Sequence, residues 1–319
     1  MITKTRFLNE DAYLLENEQV RAVVLPARGG KVASFYHKPK GFELLFQDPN
    51  NLYKPASLYS RFEEFEACGF DDAFPSIDEG LVSLGMHIVH YPDHGEIWSA
   101  SFEAEVCGDT LSLQYNGRVF NYSYRKSFTL SENRLVCSYS IENRSLAAFP
   151  YIWAFHCLVN YEPEMELLFP QGTVQVENVT HSARLGEKGR CYAFPKDVAA
   201  DGNTYDFIRV PPAQPSSCEK YYVKGKATEG RCGYYYPSKE LTALVEYDPV
   251  KLPYLGFWVT AGAFRGDYNC ALEPCTGYYD SIDTAQKNGA LSFLLPNEVF
   301  SFNMSISLGV LNFSSSVMF

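Results

Sequence analysis

The sequence has no long apolar run and no dense cluster of basic residues. A membrane-spanning helix needs roughly 18 or more consecutive apolar residues, and the chain offers no such stretch. Asp and Glu outnumber Lys and Arg by 38 to 27, a formal net charge of -11, whereas nucleic-acid binding needs a concentrated basic surface. We therefore expect no membrane and no nucleic-acid partner. Residues 1–7 also lack the apolar core of a signal peptide, so a cytoplasmic protein is expected.

A disulfide framework is missing as well. The nine cysteines are odd in number and form no CxxC pair, and several lie within apolar, strand-like runs, as Cys137 and Cys270 do. We interpret them as reduced thiols of the protein interior. A catalytic thiol at Cys157 or Cys275 is disfavoured, because free cysteine is among the residue types most often simply buried.

Long amphipathic helix patterns are nearly absent, and short strand patterns separated by turn residues take their place. Apolar residues alternate with polar ones over 135–142 and again over 300–308, which is the period-two pattern of half-buried strands. Hydrophobic residues make up 46% of the 319 residues, enough for a large core. The pattern predicts an all-β sandwich or barrel. Because no linker-like stretch divides the chain, we expect a single domain over 1–319.

Other segments carry more local predictions. We expect irregular chain over 48–80, few apolar runs and many turn formers over 171–235, and a strand pair formed by 241–247 and 254–259. The segment 280–289 predicts one short helix, since it has an acidic start and a Gly stop.

Glu273 is a candidate for acid–base chemistry. It lies between an apolar run and the turn formers Pro274, Thr276 and Gly277. A carboxylate held at the mouth of a buried strand is partly desolvated, which raises its pKa and makes it a better base near neutral pH. A structural carboxylate that caps the following turn has the same sequence pattern. The residues alone leave both roles open.

Two histidines are candidates for the same chemistry. His156 is the one strongly polar residue in the apolar run 149–159, where a buried imidazole is either hydrogen-bonded in the core or used as an acid or base. His94 precedes Gly95 in a turn close to Trp98. This pattern favours a polar group in an aromatic-walled site, and a hydrogen-bonded loop histidine is the alternative.

A metal site is disfavoured. His87, His90 and His94 are close in sequence, but His87 and His90 point to opposite faces of an extended segment. Pro92 and Gly95 break any helix that would realign them. Zinc normally needs three or four converging ligands, so we expect no metal.

Sugar-binding side chains are predicted in two loop regions. Arg61, Asp71 and Asp72 lie among phenylalanines in the acidic segment 61–79. Carboxylates accept hydrogen bonds from sugar hydroxyls while aromatic rings cover the apolar C–H faces; a solvated acidic loop is the alternative. The second region, 171–235, supplies three further candidates among which spacing does not choose: Asp206, Lys220 and Tyr222.

The order of these residues resembles that of the aldose 1-epimerase (galactose mutarotase) family over nearly the whole length of the chain. Each motif is short, and the resemblance rests on their order and spacing together. The motifs are Glu16-Asn17-Glu18-Gln19-Val20, Gly29-Gly30, Phe74-Pro75-Ser76, Asp93-His94-Gly95-Glu96, Phe155-His156, Leu255-Gly256-Phe257-Trp258 and Leu272-Glu273-Pro274-Cys275-Thr276-Gly277.

The resemblance implies a galactose mutarotase-like β-supersandwich with one open groove for a small sugar. It implies that Glu273 is the general base on the anomeric O1 hydroxyl, that His156 donates a proton to the ring oxygen, and that His94 helps to hold and polarise that oxygen. Ring opening, rotation about C1–C2 and reclosure then interconvert the α and β anomers. Such chemistry needs a placed acid and base and implies no cofactor. We expect a monomer or homodimer.

The sugar-contacting residues match the family less well than the acid–base residues do. Ser60 precedes Arg61, and Phe155 precedes His156, where the best-known members carry asparagine in both places. Asp206 is the candidate for the family's substrate-binding aspartate. The predicted substrate contacts are Arg61, Asp72, Trp98, Asp206 and Trp258.

Two other functions remain open from the sequence. A carbohydrate-binding or sensing protein can use the same fold without catalysis, although a binder has no need of a matched acid and base. An epimerase for hexose 6-phosphates needs clustered cations, whereas Arg28, Arg61 and Arg265 are scattered along the chain. Glycoside hydrolysis is disfavoured because it requires two carboxylates that flank the bond, and the pattern supplies one.

Overall fold

The strands form two large antiparallel sheets. The computed structural model describes residues 1–213 and 216–310. The larger sheet has 13 strands: β1 (Ile2–Phe7), β2 (Glu10–Glu16), β3 (Val20–Leu25), β4 (Lys31–His37), β5 (Phe42–Glu43), β6 (Phe70–Ala73), β14 (Ala154–Cys157), β15 (Val159–Asn160), β17 (Gln175–Asn178), β18 (Cys191–Ala193), β21 (Ser217–Val223), β24 (Tyr254–Ala261) and β25 (Tyr268–Cys275). The smaller sheet has eight: β9 (Glu103–Cys107), β10 (Thr110–Asn116), β11 (Tyr122–Ser131), β12 (Arg134–Asn143), β16 (Glu166–Leu168), β22 (Arg231–Tyr236), β23 (Leu241–Tyr247) and β27 (Val299–Gly309).

Across the described part of the chain, three short ribbons, one short α-helix and two 3-10 turns, Phe62–Glu64 and Pro237–Lys239, lie outside the two large sheets. Three two-stranded ribbons pair β7 (Gly80–Leu84) with β8 (His87–Tyr91), β13 (Phe149–Tyr151) with β26 (Ser292–Leu294), and β19 (Lys196–Val198) with β20 (Thr204–Asp206). The α-helix, α1 (Ile282–Lys287), begins after Ser281, whose side chain accepts a hydrogen bond from the Thr284 backbone, an N-cap that satisfies an otherwise free N–H. Within the described residues, no helix has the length and apolar character to cross a membrane.

The candidate residues lie on neighbouring central strands of the larger sheet. Its order is β1-β2-β3-β4-β6-β14-β25-β24-β21-β17-β18, with β15 paired to β25 and β5 paired to β4. His156 is on β14, Glu273 on β25 and Lys220 on β21. Residues that are far apart in the chain therefore meet at one place on this sheet.

The core lies between the two sheets and determines which side chains face away from it. Phe155 and Leu272 of the larger sheet pack in one buried cluster with Ile141 and other residues of the smaller sheet, where each fully buried side chain of this kind contributes about 1.5–3 kcal/mol. Side chains alternate along a strand. His156 and Glu273, which follow Phe155 and Leu272, therefore point to the outer face of the larger sheet.

The architecture confirms the all-β prediction, the short helix and the strand at 300–308. Two local predictions were wrong, and segment 171–235 holds more strands than its many turn residues indicate. Segment 171–235 carries strands from both sheets, and segment 48–80 contains β6. Segments 241–247 and 254–259 do not pair, because β23 joins β22 and β27 whereas β24 joins β21 and β25. Strand pairing depends on tertiary partners that local sequence does not show. The single domain over 1–319 stays a prediction.

Candidate functional site

A pocket of about 200 Å³ opens on the outer face of the larger sheet. It brings together four of the predicted site residues, His94, His156, Glu273 and Trp258. The remaining lining residues are Phe62, Ala67, Ile77, Asp78, Leu158, Thr180, Lys220, Phe264, Asn269 and Asp280. The pocket therefore combines acidic groups, imidazoles and aromatic rings.

A glycine on the neighbouring strand makes room for Glu273. Glu273 lies directly opposite Gly256 in the β24–β25 pair, and Tyr222 lies opposite Gly256 on the other side. A Cβ atom at Gly256 would be 3.1 Å from the Tyr222 ring and 3.4 Å from Oε2 of Glu273. The absence of a side chain there leaves space for the carboxylate.

Glu273 is buried and ion-paired. Its side chain is 2% exposed, and its Oε2 is 3.0 Å from Nζ of Lys220. Lys220 is also 3.0 Å from Oδ2 of Asp280, whose other oxygen accepts a 2.7 Å hydrogen bond from the Tyr222 hydroxyl. Burial raises the pKa of Glu273, while the Lys220 charge opposes that rise. Burial acts to lower the pKa of Lys220, but the carboxylates of Asp280 and Glu273 outweigh it and raise this pKa.

His156 faces the same carboxylate across a gap. Its Nε2 is 4.0 Å from Oε1 of Glu273, which is beyond direct hydrogen-bond distance. Burial, reinforced by the charges of His94 and Lys220, lowers the pKa of His156 well below its ordinary value. The imidazole is therefore neutral at neutral pH, and neutral imidazole still carries one N–H donor.

His94 reaches the pocket from a tightly anchored turn. Its Nδ1 donates a 2.7 Å hydrogen bond to Asp93, which orients the ring and directs Nε2 away from Asp93. Partial burial acts to raise the pKa of the Asp93 carboxyl, but the hydrogen bond from His94 helps to lower it, and the pKa is lowered on balance. The Phe62 ring stacks on His94 at 4.1 Å between centroids and meets His156 edge-on at 5.1 Å. Phe62 thus holds the two imidazoles in place.

Gly95 is required at the end of this turn. Its φ is +71°, and a Cβ atom there would lie 2.1 Å from the carbonyl oxygen of Phe74. We expect Gly95→Ala to lower the free energy of unfolding by at least about 1–3 kcal/mol, the usual cost of one strained backbone residue, with the clash added. Chemical denaturation measures the change. Gly85→Ala is the matched control, because Gly85 has φ +63° with no atom within 4 Å of its Cβ; an equal loss in both variants would contradict the role of the clash.

Arg61 and Trp98 lie next to the pocket without lining it. The Arg61 side chain is 63% exposed and pairs with Glu63. Trp98 is buried behind Phe62, with ring centroids 5.1 Å apart, and its Nε1 donates to the Asp93 carbonyl. Trp98 therefore supports the turn that carries His94, a position different from the predicted sugar contact.

Asp72 points to the opposite side of the sheet. In the β6–β14 pair, Asp71 lies opposite His156 and Asp72 lies opposite Phe155, so strand alternation directs Asp72 into the core. There it accepts a 2.5 Å hydrogen bond from Nζ of Lys126. Tyr124 and Tyr139 also donate to it from the smaller sheet. The structure does not bring Asp72 to the pocket; it cross-links the two sheets instead.

Of the three candidates from 171–235, two belong to the site. Lys220 lines the pocket and Tyr222 positions Asp280. Asp206 does not reach the pocket: it lies on the β19–β20 ribbon and pairs with Lys196 at 2.8 Å.

Neither Cys157 nor Cys275 lines the pocket, and both thiols are buried. All nine cysteines are free, and burial raises the pKa of both Cys157 and Cys275, which disfavours the reactive thiolate. Among residues 1–213 and 216–310, no three His, Cys, Asp or Glu side chains are placed to hold a metal ion.

Sequence reasoning missed Asn269 and Asp280 as pocket residues. Asn269, Ala271 and Glu273 alternate on β25, so the spacing from Glu273 indicates the shared face once the strand is recognised. The sequence predicts Asp280 only as the acidic start of a helix. No local pattern links it to Lys220, which lies on a distant strand.

The chain is similar to one protein family and to solved structures of low identity. The profile of DUF4432, described as a domain of unknown function, matches residues 11–308. No curated protein matches the sequence. The Slr1438 protein from Synechocystis sp. PCC 6803 is 19% identical with a TM-score of 0.72, covering 98% of this chain and 100% of that one.

Two further structures carry mutarotase names. A galactose mutarotase-like protein from Clostridium acetobutylicum is 16% identical with a TM-score of 0.70, covering 98% of this chain and 99% of that one. A galactose mutarotase related enzyme from Lactobacillus acidophilus is 14% identical with a TM-score of 0.67, covering 94% and 98%. At identities this low the likeness shows the fold alone, and it confirms the galactose mutarotase-like fold predicted from the sequence.

Proposed function

We propose, on the premise that this chain belongs to the DUF4432 family and has a galactose mutarotase-like fold, that it is an aldose 1-epimerase. Its proposed reaction interconverts the α and β anomers of a small sugar by acid–base ring opening and reclosure, without a cofactor. One observation carries the proposal. Glu273 and His156 face each other 4.0 Å apart in a pocket, and burial shifts their pKa values in opposite directions.

The opposite shifts suit the two roles. A carboxylate with a raised pKa is a stronger base near neutral pH, and pairs of groups with separated pKa values are typical of acid–base sites. Burial keeps the His156 imidazole neutral, so that it acts as a hydrogen-bond donor toward the ring oxygen. The O1 and O5 atoms of a hemiacetal would lie on the pocket side of this pair, with O1 within hydrogen-bond distance of Glu273 Oε1 and O5 within hydrogen-bond distance of His156 Nε2.

The reaction is balanced within this set of groups. Glu273 takes the proton of the O1 hydroxyl while the C1–O5 bond breaks and C1 becomes an aldehyde carbon. The N–H groups of His156 and His94 hydrogen-bond O5 and stabilise the negative charge that develops on it, and the proton held by Glu273 passes to O5, so that neutral His156 keeps its own proton. After rotation about C1–C2, the O5 hydroxyl adds to the other face of the aldehyde while Glu273 takes its proton and returns it to O1.

Lys220 selects the oxygen of Glu273 that acts. Because Oε2 is held by Lys220 at 3.0 Å, Oε1 is the oxygen that faces His156 and the substrate. The Lys220 charge also favours the ionised form of Glu273, which burial alone would disfavour. Lys220 therefore offsets part of the cost of ionising Glu273 in this buried pocket.

The pocket suits a neutral sugar better than a sugar phosphate. Among the described residues, Lys220 is the one Lys or Arg side chain that lines it, and three carboxylates, Glu273, Asp280 and Asp78, line it as well. Phosphate recognition normally uses Arg or Lys that is available for hydrogen bonding, whereas Lys220 is already engaged by two carboxylates. Trp258 and Phe264 supply aromatic faces for the sugar C–H groups.

Sugar binding without catalysis is the second candidate function. The observation that favours it is the Lys220–Glu273 ion pair, since a paired carboxylate is a weaker base than a free one.

Polarimetry distinguishes the two functions. Freshly dissolved α-anomers of hexoses, pentoses and a hexose 6-phosphate are followed with and without the protein. Acceleration for at least one neutral aldose is expected; binding of a sugar without acceleration of any would favour the binding protein.

The pH dependence of catalysis follows from the shift of Glu273. Its pKa is raised by burial, and only the ionised form accepts the O1 proton. Activity should therefore fall on acidification with a midpoint above the ordinary glutamate value of about 4.3. The initial rate of anomer exchange, corrected at each pH for the uncatalysed reaction, measures this profile. A midpoint at or below the ordinary value would contradict the assignment of a buried Glu273 as the base.

A further inference from the structure

Asn269 is a buried amide whose two polar atoms are unpaired. The residue is 1% exposed, and neither Oδ1 nor Nδ2 has a hydrogen-bond partner within the described residues. In residues 1–213 and 216–310, it is the one side chain with both of its polar atoms buried in this way. An unpaired buried donor or acceptor costs about 1–3 kcal/mol, so the fold retains a costly group at this position.

The neighbours of Asn269 have other partners. Thr260 lies opposite Asn269 on β24, but its hydroxyl donates to the Asp267 carbonyl and accepts from the Phe264 backbone. Asn160 lies opposite on β15, and its Nδ2 donates to the Glu43 carbonyl at 2.8 Å. The amide of Asn269 is therefore left for whatever enters the pocket, which it lines.

The distance from Glu273 matches one sugar ring. Glu273 is four residues further along the same face of β25, which corresponds to about 13 Å at about 3.3 Å per residue. A hydrogen bond of about 2.8 Å at each end leaves about 7 Å. That leaves room for a single pyranose between the two groups and is too short for a disaccharide. Trp258 lies between the two ends, opposite Ala271.

The Asn269 end of the pocket is an aromatic corner. The rings of Trp258 and Phe264 are 5.5 Å apart and nearly perpendicular, at 89°. Aromatic faces cover sugar C–H groups, and a side-chain amide supplies both a donor and an acceptor. Two adjacent hydroxyls present the complementary pair, since one oxygen can accept while the other hydroxyl donates.

We infer that Asn269 is a specificity-determining residue that holds the C3 and C4 hydroxyls of the sugar, at the ring edge opposite the anomeric carbon. Nδ2–H donates to one of these oxygens, and Oδ1 accepts from the other hydroxyl. The inference rests on the proposed function for the placement of C1 at Glu273. It adds that the substrate is a monosaccharide in which both hydroxyls are free.

The test measures binding of methyl glycosides, which cannot ring-open, so that it does not depend on catalysis. The ligands are the methyl glycosides of glucose, galactose and mannose with their 3-deoxy, 4-deoxy and 6-deoxy analogues, titrated by calorimetry. For the wild-type protein, the 3-deoxy and 4-deoxy analogues of the parent that binds should bind about 10- to 100-fold more weakly, the effect of leaving one buried amide atom unpaired. The 6-deoxy analogue should bind like its parent.

Asn269→Leu should weaken the parent about 10- to 100-fold and remove the discrimination against the 3-deoxy and 4-deoxy analogues. Its melting temperature should stay the same or rise, because an apolar side chain of similar size replaces an unpaired amide. Asn160→Leu is the matched control. It loses a structural hydrogen bond, so its melting temperature should fall while sugar binding is retained.

The two proposals fail in different ways. If Asn269→Leu binds every glycoside as the wild-type protein does, the inference is wrong whether or not the protein epimerises sugars; an ordered water on the amide would give this result. The inference is also wrong if no glycoside binds the wild-type protein. If binding depends on Asn269 but no aldose shows accelerated anomer exchange, the inference holds and the epimerase proposal fails.

Discussion

Glu273→Gln is expected to reduce catalysed anomer exchange by about 10²- to 10⁴-fold, the usual contribution of a positioned general base. Glutamine keeps the shape of the side chain but cannot take the O1 proton. The measurement is the rate of α-to-β conversion of the best aldose by polarimetry, with the uncatalysed rate subtracted. Lys220 keeps its second partner, Asp280, at 3.0 Å, so the fold should survive, and a cooperative thermal transition checks this.

A matched control lies next to Lys220 on β21. Glu219 is also a fully buried glutamate, but it faces the core side and pairs with Tyr205 and Arg184. Glu219→Gln should change stability. It should leave anomer exchange within about threefold of the wild-type rate, because Glu219 faces the core and is not one of the proposed reacting groups. If Glu273→Gln keeps full activity while folded, Glu273 is not the base.

Lys220→Met is expected to lower the free energy of unfolding by about 3–5 kcal/mol, the cost of removing one partner from a buried ion pair. The change leaves Glu273 and Asp280 without the cation that lies 3.0 Å from each of them. Chemical denaturation at neutral pH measures the loss. Lys220→Met combined with Asp280→Asn should lose less, because only one buried carboxylate is then unpaired.

The same variant also tests the coupling of Lys220 to the base. The Lys220 charge lowers the pKa of Glu273 against the effect of burial, so its removal should raise that pKa further. The acid limb of the pH–rate profile should then move to higher pH than in the wild-type protein. If Lys220 had only a structural role, its substitution would change the stability without moving the acid limb. An unmoved acid limb would therefore contradict the proposed effect of the Lys220 charge on the pKa of Glu273.

His94, His156 and Glu273, which the structure brings into one pocket, could be singled out from the sequence because each lies in a local motif. His156 interrupts an apolar run, Glu273 follows one, and His94 lies in a turn with Gly95. The all-β fold could be predicted for a similar reason, since alternation along β12 and β27 is a local pattern.

The other residues around the pocket could not be placed from the sequence in the same way. Asp71 and Asp72 are adjacent in sequence, and only the register of β6 against β14 decides which of them faces the core. Lys220 can be chosen from the three candidates in 171–235 as a neighbour of Glu273 only when β21 and β25 are seen to lie on either side of β24. Asn269 lies in no recognisable motif. It becomes a candidate only when the structure shows that neither polar atom of its buried amide has a hydrogen-bond partner within the described residues.

Equilibrium exchange NMR tests the central claim most directly. An aldose labelled with ¹³C at C1 is held at its anomeric equilibrium with a catalytic amount of the protein, and magnetisation transfer between the α and β signals gives the exchange rate. If Glu273 is the base, transfer increases in proportion to wild-type protein concentration and returns to the uncatalysed rate with Glu273→Gln. Binding of the sugar in this pocket without any added transfer, across the panel of neutral aldoses, would contradict the claim that the pocket catalyses anomer exchange.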